Sequence, residues 1–147
     1  MKRNITITVI SLIVIVSGCI FILDRMKYTY YNEAVSEMLS EGEKVNKIEI
    51  LWTKRDDKKG YVQKTVSITD ENTIKRIIEE PSNMKLKKHD ITPGVEYWLT
   101  LYTDSKVDGI VFGDGEVQIG DGSFKIVDDN ILEKVIKDED LEWEIKK

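Results

Sequence analysis

The sequence predicts an α+β fold: a single small domain with an antiparallel sheet in the order ββαββββα, a possible extra edge strand and helices on one face. A hydrophobic helix precedes it. Three observations carry that expectation. Ile5 to Leu23 holds no charge, between Lys2-Arg3 and Asp24-Arg25. Downstream, short stretches of alternating apolar and polar residues are joined by Gly-Asp turns, which are long enough only for antiparallel neighbours. Two other stretches place isoleucine, leucine and valine at helical spacing.

Taken in order, residues 1–23 are the anchor or signal, 24–46 a partly helical connector, and 47–147 the folded domain. The apolar run of about 20 residues would span a ~30 Å hydrocarbon core as a helix. In the connector, Tyr31, Val35, Met38 and Leu39 fall on one helical face, and Gly42 is a stop signal. That stripe either docks on the domain or lies at a membrane interface, where Tyr28, Tyr30 and Tyr31 would suit the headgroup level.

Lys47 to Trp52 alternates as a strand, and Asp56-Asp57-Lys58-Lys59-Gly60 is a turn. Val62 to Ile68 pairs back as a hairpin. Asp70 caps a helix with Ile74, Ile77 and Ile78 on its buried side, and Pro81 ends it. Ser82 to Gly94 reads as a loop. Val95 to Tyr102 is the strongest strand, with Tyr97, Leu99 and Leu101 on one face and Trp98, Thr100 and Tyr102 on the other. Val107–Phe112, Glu116–Ile119 and Phe124–Val127 form a meander through Gly113-Asp114-Gly115 and Gly120-Asp121-Gly122. Asp128 or Asp129 then caps a helix carrying Ile131, Leu132, Val135 and Ile136. Leu141 to Ile145 alternates as a marginal edge strand.

Charge restricts function. The 147 residues hold 27 acidic and 22 basic groups. Only Lys2 and Arg3 precede Asp24, so the remainder carries 20 basic against 27 acidic groups, a formal charge of −7. A face-wide basic patch for nucleic acid does not fit that balance. The most basic stretch, Lys85 to Lys88, reads as a solvated loop. With one cysteine, no intrachain disulfide can form.

Catalytic and metal signatures are sparse. No G-x-S-x-G, P-loop or G-x-G-x-x-G is present, and His89 is the sole histidine. A couple between His89 and Asp90 is conceivable, but adjacent residues seldom orient one another, so a solvated histidine is expected. No cofactor is implied. Asp108, Asp114, Glu116 and Asp121 could offer hard oxygen ligands to calcium, yet glycines flanking aspartate are what hairpin turns require. Asp108, Asp114 and Glu116 are also the candidates for carboxylate acid-base chemistry on glycans. Among Trp52, Trp98 and Trp143, the face with Trp98 and Tyr102 is expected to lie under a helix. Exposed, it would mark a partner site.

The anchor carries a motif. Val16-Ser17-Gly18-Cys19 resembles the lipobox of bacterial lipoproteins, an aliphatic residue, two small residues and a cysteine. The resemblance implies diacylation of Cys19 and cleavage before it. The apolar Ile20-Phe21-Ile22-Leu23 departs from the pattern and suits an uncleaved transmembrane helix, so both readings stand. Each tethers the domain outside the cell membrane. The whole arrangement looks like the small envelope proteins of low-GC Gram-positive bacteria, a likeness that implies an address and no activity. A non-catalytic binding or accessory module is the expectation.

Overall fold

The computed structural model describes residues 12–19, 22, 25, 27–40, 42–56 and 60–146. Much of the predicted anchor therefore lies outside the described residues. Residues 12–19 are helical, and among the described residues no helix is long and apolar enough to cross a membrane.

The elements run β1 (Tyr28–Tyr30), α1 (Tyr31–Met38), β2 (Lys47–Asp56), β3 (Gly60–Ile68), α2 (Glu71–Glu79), a 3-10 turn (Glu80–Asn83), and β4 (Lys85–Lys88). Then come β5 (Tyr97–Tyr102), β6 (Val107–Gly113), β7 (Glu116–Ile119), β8 (Gly122–Ile126), α3 (Ile131–Asp138) and β9 (Glu144–Ile145). All nine strands form one antiparallel sheet in the order β1-β4-β8-β7-β6-β5-β2-β3-β9. The chain is a small α+β domain.

Register explains why a single face is buried. Ile48 and Ile50 of β2 lie opposite Ile68 and Val66 of β3, and opposite Leu101 and Leu99 of β5. The row continues through Ile110 and Phe112 of β6, Ile119 and Val117 of β7, and Phe124 of β8. Each of these is buried, and the same core takes in Tyr31, Ala34 and Val35 of α1, Ile74 and Ile77 of α2, and Leu132, Val135 and Ile136 of α3. Burying one such aliphatic or aromatic side chain contributes about 1.5–3 kcal/mol. The rings of Tyr97 and Phe112 stack within the row at 4.8 Å. Side chains of opposite parity point away from the helices.

The turns follow their glycines. Asp114 and Gly115 both have positive φ, 52° and 78°, as a two-residue type I′ hairpin between Gly113 and Glu116 requires. At the next turn, Gly120 has φ 54° in the first central position between Ile119 and Gly122, the II′ pattern. Asp70 caps α2 as predicted, its Oδ2 accepting from the Thr73 N–H at 2.8 Å.

Three expectations need correction. Lys85 to Lys88 is a strand, because Leu86 is fully buried opposite Ile126 while its lysine neighbours point outward. The part of the connector from Tyr28 to Met38 folds into the sheet and core: β1 pairs with β4, and Tyr31 is fully buried with its N–H donating to Met84 O. Tyr31 is therefore not at a membrane headgroup level. The cap of α3 is Asn130, whose Oδ1 accepts from the Glu133 N–H at 3.1 Å; neither Asp128 nor Asp129 serves.

Candidate functional site

The outward parity of the sheet defines the site. On β5 this parity selects Trp98, Thr100 and Tyr102. Trp98 lies opposite Leu51 on one side and Val111 on the other. Its indole Nε1 leans over Gly109, 3.7 Å from where a side chain there would begin. Instead of lying under a helix, Trp98 is 48% exposed. Among the described residues no helix covers this face, for a simple reason: the buried stripes of α1, α2 and α3 are all consumed on the opposite face.

Around Trp98 the surface grades from apolar to polar. Val107, opposite Tyr102, and Tyr61, opposite Arg55, share the outward parity and are exposed further out, towards opposite ends of the face. Further along β5, the Tyr102 hydroxyl donates to Glu49 Oε2 at 2.7 Å, and Lys47 Nζ sits 4.7 Å from the Tyr102 ring centre. Lys47 Nζ also pairs with Glu49 Oε1 at 2.6 Å. That contact, and then the Tyr102 hydroxyl, hold the Glu49 carboxyl below the usual carboxylate range. Aromatic and aliphatic groups in the middle with a hydrogen-bonded charged rim is the anatomy of a protein interface.

The carboxylates singled out in the sequence do not converge. Asp108 faces inward at the start of β6, 3.1 Å from Lys106 Nζ, which also donates to Met38 O. Asp121 lies in the β7–β8 turn at that same end. Asp114 and Glu116 lie at the other end of β7, with Asp114 in the hairpin turn. Strand β7 separates the two pairs by about 10 Å. Among the described residues, no group of three or more His, Cys, Asp or Glu is arranged to hold a metal ion. His89 faces Glu116, Nδ1 to Oε1 at 3.8 Å, rather than Asp90. Sequence reasoning missed that pair, since only the β4–β8–β7 order brings residues 89 and 116 together. Cys19 is exposed, a free thiol.

An open groove of about 720 Å³ runs along β3 and the C-terminal segment. It collects Glu49, Asp70, Asp140, Glu142 and Glu144, and none of Asp108, Asp114 or Glu116. Asp70 is committed to capping α2, and the Thr73 N–H lowers its carboxyl, as Lys47 does for Glu49. Groups held ionised in this way are acceptors, the wrong state for a general acid at neutral pH. No signal in the sequence marked this groove, because its residues come from β2, β3, β5, α2 and the tail. No family model, curated protein or solved structure matches the chain.

Proposed function

We propose that the chain is a membrane-anchored, extracytoplasmic, non-catalytic module that binds a protein partner through the outward sheet face around Trp98. One observation carries the reading. A half-exposed tryptophan stands on the sheet face opposite α1, α2 and α3, flanked by Leu51 and Val111 and rimmed by Tyr102, Glu49 and Lys47. Trp is the residue type most enriched at the energetic centre of interfaces, because its large rigid body gains much contact for little lost freedom. The anchor reading rests on the apolar run and the Val16-Ser17-Gly18-Cys19 motif.

The test places a photoreactive side chain at Thr100, beside Trp98, or at Lys134 on the exposed side of α3, and irradiates intact cells. A discrete adduct from position 100 and none from position 134 is the expected result. Equal adduct patterns from both positions contradict it. Fractionation tests the tether separately: the chain sediments with membranes and is accessible to protease added outside, whereas recovery in the cytoplasm contradicts the reading.

A further inference from the structure

We infer that the β1–β4–β8 end of the outward sheet face is a docking surface for an anionic lipid membrane, and that it fixes how the anchored domain stands on that membrane. The inference rests on the anchor reading above and adds a second, folded contact to it. The register places the residues. Tyr28 lies opposite Lys87, Lys87 opposite Lys125, and Tyr30 opposite Lys85, all on the outward parity. Lys85 Nζ and Lys87 Nζ sit over the Tyr28 ring at 4.7 and 4.9 Å. Tyr30 is 46% exposed at the sheet edge, and Lys27 and Lys125 are exposed beside this row. Lysines on aromatic stems suit a lipid surface: the ammonium groups reach phosphate while tyrosine occupies the headgroup level.

Two further facts choose the membrane as the occupant. The first is connectivity, since β1 begins only five residues after Leu23, the end of the apolar run, so this edge is the part of the domain held nearest the tether. The second is charge asymmetry. A chain with an acidic balance would be repelled by an anionic surface in most orientations. Three acidic groups, Asp140, Glu142 and Glu144, line the groove at the opposite edge, beside β3 and β9. Eight strand spacings separate the two edges, about 38 Å, several Debye lengths at physiological salt. At the basic end, the acidic neighbours are Glu116, opposite Lys125 in the β7–β8 ladder, and Glu33, which accepts from Thr29 Oγ1 and the Tyr30 N–H, with Asp90 just past β4 and Asp128 and Asp129 just past Val127, whose N–H donates to Lys85 O. The basic edge therefore turns down and the acidic edge up.

This orientation leaves the Trp98 face free. Strands β1 and β5 are five steps apart in the sheet, and each step twists by roughly 20–25°. The face carrying Trp98 is thus rotated by about 100–125° from the face carrying Tyr28, and by about 80–100° from that carrying Lys87 on β4, four steps away.

The experiment uses the full chain reconstituted into vesicles of phosphatidylcholine alone or mixed with phosphatidylglycerol. A membrane-impermeant amine-acylating reagent is added, and each lysine is read by mass spectrometry. Lys85, Lys87 and Lys125 should react about fivefold more slowly on the anionic vesicles, with Lys75 and Lys134 on the helices unchanged. The difference should vanish at 1 M salt. Equal reactivity on both vesicle types, with the chain floating on both, overturns the docking surface and leaves the anchor intact. A chain that floats with neither overturns both. Protection by soluble polyphosphate that vesicles do not reproduce assigns the patch to a polyanion and also overturns it. The variant with Lys85→Glu, Lys87→Glu and Lys125→Glu should lose any vesicle dependence at Lys27.

Discussion

Trp98 of β5 stands directly across from Leu51 of β2 on the face of the sheet turned away from α1, α2 and α3. Its chain neighbour Leu99 points the other way and is fully buried. These adjacent residues therefore separate surface from core. Trp98→Ala should lower stability by less than about 1 kcal/mol, the scale of a cross-strand pair. Leu99→Ala should cost about 2–5 kcal/mol, because it opens a cavity in the central strand. Urea unfolding of the two variants measures both.

Tyr31 gives an unusual expectation. It is fully buried, burial pushes its phenol up, and its hydroxyl has no hydrogen-bond partner among the described residues. An unpartnered buried hydroxyl is a cost that phenylalanine removes without changing the ring. Tyr31→Phe should raise stability by about 1 kcal/mol, whereas Tyr31→Ala should lower it by about 3–5 kcal/mol. Denaturant midpoints of the three proteins decide this.

These residues also show what was legible in the sequence. Alternation and Gly-Asp turns were sufficient for β2, β3 and the β5–β8 meander, where each strand carries its own period of two. They failed for β4, whose inward residue Leu86 sits among lysines, and for β1, whose three residues are too short to show a period. Strand order was not legible either, because β4 and β1 join the sheet through long-range pairing. For the site, parity placed Trp98 opposite Leu99, but whether a helix covered it depended on how three helices share one face.

Gly113 marks where the loop before β5 rests on the meander. A side chain there would begin 2.2 Å from Gly94 O and 2.9 Å from Glu96 N, both backbone atoms. Gly113→Ala should cost about 1–3 kcal/mol by forcing that loop away. At Gly109 the nearest atoms are 3.7 Å away, an ordinary contact, so Gly109→Ala should stay within about 0.5 kcal/mol. Thermal unfolding of the pair provides the comparison.

Acid should weaken α2 through Asp70. Its carboxyl is lowered in the fold, first by the Thr73 N–H and then by the Thr73 hydroxyl. A carboxyl depressed by folding contributes stability above its unfolded value of about 3.9, and that contribution is lost as pH falls through the folded value. Asp70→Asn keeps a capping oxygen and removes the titration. The gap in Tm between wild type and Asp70→Asn should therefore be constant near neutrality and shift against wild type below about pH 4. A gap independent of pH would contradict this assignment.

The central claim is that the outward face around Trp98 is occupied by a partner in the cell envelope. Tryptophan-selective oxidation of the wild-type chain tests it, performed on intact cells and on the purified full-length protein, with Trp52 and Trp143 as internal references. Trp98, the most exposed of the three, should be oxidised readily in the purified protein and be protected on cells, while the reference ratio stays the same. Equal oxidation of Trp98 in both settings would contradict the account.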